Sequence, residues 1–205
     1  MAADGTRDRL LDAAERLLAR LGYQKATMED LAREAGLGKR TIYLHFAGKE
    51  EVMLSTIDRI VERLLGRLRE AAGSGGPAAE RLRRMLRLRV MFRFDSVRHY
   101  YQGIDDLFRA IRPAYMARRS GYFAAESEVF AAVLAEGASS GELAVDDPRE
   151  AALDVILATN ALLPSALSTR ELGGRAAVEA RARRLADLLI DGLRRREAAP
   201  RKPIA

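Results

Sequence analysis

Glycines and basic residues lie close together in "AGLGKRTIYLHF", residues 35–46, a composition suited to binding phosphate. A nucleotide-binding P-loop would need a glycine five residues before Gly38, a hydroxyl residue directly after Lys39 and a strand that feeds the loop. Arg33 and Arg40 occupy those two positions, and the apolar residues that precede the segment have helical spacing. The pattern therefore argues against a P-loop and leaves open another way of meeting phosphate.

Residues able to perform catalysis or bind metal ions are scarce. The chain has no cysteine and only two histidines, His45 and His99, which excludes disulfides, thiolate sites and histidine-rich metal sites. Asp95 and His99 have the i, i+4 spacing of a surface ion pair, and Asp105 and Asp106 are adjacent, so they face different ways. We therefore predict no catalytic residues, no metal site and no cofactor.

Composition predicts the fold class. With 205 residues, of which 48% are hydrophobic and 31% charged, the chain resembles a soluble globular protein that can bury a core. Alanine, leucine, arginine and glutamate recur at helical spacing, and no run alternates as a strand does. We therefore predict an all-α protein.

The charge distribution indicates an anionic partner. The formal net charge is +6, and the segment from Gly36 to Lys49 contains basic residues and no acid. The N-terminus carries charges where a signal peptide has an apolar core, and Asp154, Asn160 and Pro164 interrupt the longest apolar stretch. We expect a cytoplasmic protein without a membrane partner.

Two helices are predicted before the glycine-rich segment. Residues 6–21 place their leucines on one stripe, and Gly22 can end that helix. Thr27 can cap the next helix, with Asp30 three residues later completing an approximate capping box, and Gly36 can end it.

A third helix, from about Lys39 to Phe46, can begin only two or three residues after Gly36, which forces a sharp crossing. Small residues stand where the backbones would approach, and apolar residues can fill the wedge between the helices. This is the helix-turn-helix pattern, whereas an ordinary helical hairpin, the alternative, would need no outward basic face.

The third helix is predicted to present a basic, hydrogen-bonding surface. If Ile42 and Phe46 face the core, Arg40 and Leu44 point outward at 100° per residue. The flanking positions carry further donors: Lys39, Tyr43, Thr41 and His45. Such a helix fits the major groove of B-DNA, where Lys and Arg read guanine edges and Tyr, Thr and Lys contact phosphates. The phosphate that this segment meets is therefore predicted to be that of DNA.

These residues also carry a family resemblance. "TMEDLAREAGLGKRTIYLHFAGKEEVM", together with the preceding "LLDAAERLLARLGY", resembles the N-terminal domain of tetracycline-repressor-type (TetR family) transcriptional regulators. The resemblance is specific over about residues 6–53, while residues 54–205 agree only in being helical. It implies a set of residues at or near DNA: Thr27, Lys39, Thr41, Tyr43, His45 and Lys49.

Two positions depart from the family pattern. Gly38 replaces the usual Ser or Thr at the start of the recognition helix, and Arg40 replaces a common small residue and adds a long donor at the groove. Other positions keep two interpretations: Tyr43 as a phosphate contact or core aromatic, His45 as a DNA contact or structural hydrogen bond, and Leu44 as a thymine-methyl contact or a solitary exposed leucine.

A long helix is predicted from about residue 51 to Arg69, followed by a flexible joint at 71–77. Further helices are expected at 78–94, 97–111, 113–137, 148–169 and 175–196. The domain prediction is a helix-turn-helix DNA-binding domain at 1–50, a helical-bundle ligand-binding and dimerisation domain at 51–197, and a disordered tail at 198–205.

The last two predicted helices carry leucine and isoleucine stripes that suit a dimeric four-helix bundle. The predicted effector cavity is mainly aromatic with a few donors. Its candidate residues are Arg89, Phe92, His99, Tyr100, Phe108, Tyr115, Tyr122, Phe123 and Asn160, with Arg93 beside them.

Several of these residues have other interpretations. The aromatic residues also suit a plain core. Asn160 also suits a structural hydrogen bond or the dimer seam. The arginine-rich run 81–93 also suits a solvated helix face or a second nucleic-acid surface.

The sequence therefore predicts a ligand-responsive, homodimeric transcriptional regulator, expected to be a repressor. It would bind a palindromic double-stranded DNA operator and leave it when a small, largely apolar effector binds. The alternatives are a helical enzyme with a DNA-binding-like N-terminal segment and an architectural DNA-binding protein without ligand control.

Overall fold

The structure, a computed structural model, describes residues 2–97, 104–164, 171 and 173–194. Eight α-helices account for most of these residues, and a 3₁₀ turn, Asn160–Leu162, follows the seventh. The helices are α1 (Ala2–Lys25), α2 (Met28–Ala35), α3 (Lys39–His45), α4 (Lys49–Ala72), α5 (Ala78–Val97), α6 (Ile104–Ser139), α7 (Pro148–Thr159) and α8 (Arg175–Leu193). The predicted all-α class, with a helix-turn-helix joined by a long helix to a helical bundle, is confirmed.

None of the described helices is both long and apolar enough to cross a lipid bilayer. His99, Tyr100 and the predicted tail at 198–205 lie outside the described residues.

The ends of α2 are set by its own sequence. Thr27 accepts a hydrogen bond from the N–H of Asp30 at 3.1 Å, and the Asp30 carboxylate accepts one from the N–H of Thr27 at 3.2 Å. Gly36 ends the helix in the left-handed conformation, with φ 62° and ψ 37°. The predicted capping box and glycine stop are therefore confirmed. Gly22, at φ 71° and ψ 171°, also interrupts α1 near its end.

One apolar cluster holds the first four helices together. It contains the leucine stripe of α1, with Leu10 and Leu11 fully buried, and the wedge residues Leu31 and Ile42. Two α6 side chains, Leu107 and Ile111, belong to the same cluster. The N-terminal half of α6 is therefore packed against the helix-turn-helix.

Pro113 lies inside α6. The prediction that it would separate two helices is wrong, because α6 is continuous on both sides of it. Proline costs a helix interior about 3 kcal/mol, since it lacks an N–H and its ring crowds the carbonyl of residue i−4. Tertiary packing offsets that cost: Leu107 and Ile111 are buried in one core, and Phe123 and Phe130 in another.

Helix α7 begins at a cap and ends earlier than predicted. The Asp147 carboxylate accepts hydrogen bonds from two N–H groups of its first turn, at 2.8 Å and 3.2 Å. The predicted helix reached residue 169, whereas α7 ends at Thr159 and Leu163 is extended, with φ −90° and ψ 147°. Pro164 explains this, because a residue that precedes proline is disfavoured in helical conformation.

The arginines of the run 81–93 connect α5 to its neighbours. Arg83 pairs with Asp187 and Asp191 of α8, and Arg81 pairs with Glu136 of α6. Other arginines of the run contact the joint or α8: Arg84 donates to the Ser74 hydroxyl, and Arg87 pairs with Glu179. Much of the positive charge of this run is therefore paired with carboxylates of neighbouring helices.

Candidate functional site

Helix α3 lies with one face in the core and the opposite face in solvent. Ile42 is fully buried and Phe46 is 2% exposed, whereas Leu44 is 77% and Tyr43 49% exposed. Arg40 is exposed with them. This is the orientation expected from the helical period, with the basic and hydrogen-bonding side chains on the outside.

Lys39 is exposed but has an acidic neighbour. Its ammonium group pairs with Glu29 of α2, and the hydrogen bond raises the pKa of Lys39 and lowers that of Glu29. The same ammonium lies 6.0 Å from the ring centroid of Tyr43. A DNA phosphate that binds Lys39 would therefore have to displace the exposed carboxylate of Glu29.

Lys49 lies where α4 begins and reaches back towards the end of α1. Its ammonium is 4.2 Å from the ring centroid of Tyr23 and 3.4 Å from the carbonyl oxygen of Gln24. Partial burial lowers the pKa of Lys49. The Thr27 hydroxyl is occupied as the cap of α2, and Gly38 precedes α3 without a side-chain cap.

Thr41 and His45 are half-buried on the flank of α3, and the His45 ring centroid is 6.4 Å from that of Phe46. All nine predicted DNA-binding residues therefore lie in one region, formed by the beginning of α2, α3 and the beginning of α4.

An apolar pocket of about 50 Å³ lies between α4, α5 and α6. Its described lining residues are Ile57, Ile60, Val61, Arg93, Val97, Phe108, Tyr115, Tyr122 and Pro164. Along α6 the aromatic rings form a ladder, with centroids 5.4 Å apart for Phe108 and Tyr115 and 6.3 Å apart for Tyr115 and Tyr122.

Three predicted ligand residues line this pocket: Phe108, Tyr115 and Tyr122. Other predicted residues lie elsewhere. Phe123 is in the main core with Phe92 packed against the same cluster.

Arg89 and Asn160 lie in a buried polar network instead. Arg89 is fully buried and donates to Glu126 at 2.5 Å, to the Thr159 hydroxyl at 2.7 Å and to the Asn160 side-chain oxygen at 2.7 Å. Burial lowers the pKa of Arg89 to about 10. Burial alone would raise the pKa of Glu126, but the neighbouring guanidinium groups of Arg93 and Arg89 outweigh burial and lower it. This network connects α5, α6 and α7 behind the pocket.

A second network links the pocket to the beginning of α4. The Tyr122 hydroxyl donates to Asp58, and burial followed by this hydrogen bond raises the pKa of Tyr122. Arg118, one turn earlier on α6, donates to Asp58 at 2.5 Å and to Glu51 at 2.8 Å. Glu51 is in the first turn of α4, next to the proposed DNA contacts.

Sequence reasoning missed the aliphatic lining from α4 and the Asp58, Arg118 and Glu51 links. No periodicity distinguishes Ile57 or Ile60 from ordinary core residues, because their role depends on which helix packs against them. In the described part of the chain, no group of three or more His, Cys, Asp or Glu side chains is arranged to bind a metal ion.

Comparison with known proteins finds a family match in the N-terminal part of the chain. Residues 10–56 match the family model described as bacterial regulatory proteins, tetR family. A transcriptional regulator of the TetR/AcrR family from Thermobifida fusca YX-ER1 is 25% identical with a TM-score of 0.65, covering 92% of this chain and 98% of that one. Residues 10–56 therefore carry the tetR-family sequence pattern, and the chain as a whole is similar in fold to a TetR/AcrR-family regulator.

The chain is also similar to two further proteins, one over part of its sequence and one in fold alone. The HTH-type transcriptional activator FasR of Mycolicibacterium smegmatis is 34% identical over 100 residues, which are 49% of this chain and 44% of FasR. FadR from Bacillus subtilis, solved in complex with stearoyl-CoA, shares the fold at 19% identity and TM-score 0.65, over 90% of this chain and 98% of that one. The chain spans less than half the length of the curated relatives that it matches.

Proposed function

We propose that this protein is a homodimeric, ligand-responsive transcriptional regulator that binds a palindromic DNA operator. Residues 1–50 would form its DNA-binding unit and residues 51–197 its ligand-binding and dimerisation unit. The observation that carries the proposal is the orientation of α3, with Arg40, Tyr43 and Leu44 in solvent and Ile42 in the core. We propose repression as the direct result of occupying an operator, although the relative FasR is named an activator.

The roles of the exposed α3 residues follow from their chemistry. We assign Arg40 to a base edge and Leu44 to a thymine methyl group. Lys39, Tyr43 and Lys49 are suited to phosphates, which fix the register of a protein on the duplex. The remaining predicted contacts, Thr27, Gly38, Thr41 and His45, lie around the same surface.

Exposed leucines support a dimer. Leu153 and Leu157 of α7 are 42% and 49% exposed, and Leu188 of α8 is 74% exposed. Ile156 and Ile190 on the same helices are fully buried in the core. Both helices therefore carry apolar surface beyond what their own core uses, as a two-fold interface requires.

Ligand control is supported by the position of the pocket. Tyr122 lines the pocket and donates to Asp58 of α4. Arg118 connects α6 to Glu51, which is in the first turn of α4. A ligand that moves the Tyr122 ring would change how α6 holds α4. DNA affinity would then fall by the ligand's differential affinity for the two arrangements.

Operator binding can be tested with duplexes selected from a random pool, measured by fluorescence anisotropy over a salt series. We expect a palindrome with half-sites about 34 Å apart, two chains per duplex, and a log–log salt slope of about −0.9 for each phosphate neutralised. Equal affinity for random duplex, together with a weak slope, would refute the proposal.

A further inference from the structure

We propose that the pocket between α4, α5 and α6 binds a carboxylate-bearing apolar molecule, whose carboxylate is held by Arg93. This inference rests on the proposed ligand-responsive function and names the chemical class of the ligand. It depends on the charge of the pocket, on the hydrogen-bonding groups behind it and on its apolar remainder.

Arg93 is the charged member of the described pocket lining; the other described lining residues are aliphatic, aromatic or proline. Its side chain is 12% exposed, and two of its nitrogens donate to the Glu126 carboxylate. An arginine has five N–H donors, so the guanidinium keeps donors for a further acceptor. A planar carboxylate matches the guanidinium geometry.

The cluster behind the pocket carries excess positive charge. Arg89 and Arg93 share the single carboxylate of Glu126, and Arg89 and Glu126 are both fully buried. The guanidinium carbon of a third arginine, Arg119, lies 4.6 Å from the Phe123 ring centroid, where Arg89 also lies within 5.6 Å. Among Arg89, Arg93 and Glu126, the fully buried Arg89 and the largely buried Arg93 around one anion leave a net charge of about +1. A monoanionic ligand would neutralise that charge where the dielectric constant is low.

Local dipoles offset only part of this charge. Arg89 donates to the carbonyl oxygen of Ile156 near the end of α7 at 3.3 Å, and a helix C-terminus supplies about half a negative charge. The amide nitrogen of Asn160 is buried without a hydrogen-bond partner among the described residues, although its oxygen accepts from Arg89. Among the described residues of this network, the hydrogen-bond donors therefore exceed the acceptors, and the positive charge exceeds the negative charge.

The rest of the pocket lining is apolar and suits the hydrocarbon part of the same ligand. Ile57, Ile60 and Val61 form one wall, and the rings of Phe108 and Tyr115 form another. At about 50 Å³ the pocket is far smaller than the ~300–1,000 Å³ typical of ligand sites, so a ligand must displace side chains to enter. Tyr122, hydrogen-bonded to Asp58, is among the side chains that would have to move.

A matched series of octanoate, octan-1-ol and octylamine tests the charge preference. Binding to the full chain is measured without DNA by calorimetry and by the shift in melting temperature. We expect octanoate to bind about tenfold or more tightly than octan-1-ol, because it gains hydrogen bonds to a charged group, and octylamine to bind most weakly. Equal binding of the three compounds, a preference for the alcohol or amine, or no binding by any at millimolar concentration would overturn the proposal.

Variants assign the preference to Arg93. Arg93→Gln should bring octanoate down to the affinity of octan-1-ol, while octan-1-ol itself changes little. Arg87→Gln, at a half-buried arginine on the same helix that is not among the described residues of this pocket, should leave the preference intact. Arg93→Lys keeps the charge and should retain part of the preference, so it decides the matter if Arg93→Gln fails to fold. A full preference in a folded Arg93→Gln would place the anion elsewhere.

Operator release is measured separately. Octanoate that binds with the expected preference but leaves DNA binding unchanged would support the carboxylate site and refute the proposed ligand control. The two proposals can therefore fail independently.

Discussion

Replacing Glu126 by Gln removes the carboxylate that pairs with both Arg89 and Arg93. The two side chains have nearly the same shape, so the substitution changes charge and hydrogen bonding while leaving the volume of the core almost intact. In the native protein Glu126 is fully buried and accepts from Arg89 at 2.5 Å and from two nitrogens of Arg93. A glutamine has one oxygen to accept with, and its amide group would face a guanidinium.

The size of the effect follows from these contacts. A hydrogen bond to a charged group contributes about 1.5–3 kcal/mol, and about two such bonds are lost or weakened. Breaking a buried ion pair by removing one partner costs about 3–5 kcal/mol, which agrees with that sum. For a chain of this length, we expect the melting temperature to fall by roughly 6–20 °C, at about 2–4 °C for each kcal/mol.

The assay is urea unfolding followed by circular dichroism, at one fixed protein concentration because dimerisation would couple to stability. Glu128→Gln is the matched control on the same helix: its carboxylate is exposed and lies 3.8 Å from Arg149, so we expect a change within about 0.5 kcal/mol. Equal stability of the two variants would refute the inference that Glu126 holds the guanidinium groups of Arg89 and Arg93.

The same group makes a pH prediction. The pKa of Glu126 is lower in the folded chain than its ordinary value of 4.5. Its contribution to stability is therefore fully present above about pH 4.5 and is lost as the pH falls towards the folded pKa. Glu126→Gln should lose less stability than the wild type over that acid range, and an identical acid dependence of the two proteins would contradict the lowered pKa.

The other predictions concern packing, DNA contacts and coupling. Gly137→Ala should destabilise the fold by about 1–3 kcal/mol, because the new Cβ would lie 2.5 Å from a Leu143 methyl carbon. Gly121→Ala on the same helix, where the Cβ would meet open space, should stabilise the fold by about 0.5–1 kcal/mol. The urea midpoints of the two variants give the sign of each change. Lys49→Ala should weaken binding to all duplexes alike, whereas Arg40→Ala should relax preference at one base position, and a base-substitution panel that shows equal losses for both would reject this division of roles. Tyr122→Phe should reduce the release of DNA by octanoate, because it deletes the hydrogen bond to Asp58, and unchanged release would remove Tyr122 from the coupling.

Local rules could predict the N-terminal region from sequence. The two residues of the capping box, Thr27 and Asp30, are three positions apart in the sequence. Gly36 can adopt the left-handed conformation because glycine has no side chain. The facing of Ile42 inward and Leu44 outward follows from the helical period. Each of these features depends on residues that are close together in the sequence, so the sequence alone is enough to predict it.

The same rules failed where distant parts of the chain meet. Pro113 suggested a helix end, but burial on both sides of it in two separate cores keeps α6 continuous. Arg89 suggested a ligand contact by its type and its aromatic neighbours. Its partners Glu126 and Asn160 are 37 and 71 residues away, and their positions place it in a buried polar network behind the pocket.

What the sequence by itself determined is the all-α class, the helix-turn-helix with its caps, and the outward chemistry of α3. Only the tertiary structure decided which of several aromatic and basic residues line the pocket, and that Arg93 rather than Arg89 faces it. The physical reason is that caps and helical faces depend on backbone geometry within one or two turns. A pocket wall or a buried ion pair depends instead on how helices from distant parts of the chain pack, which no local period records.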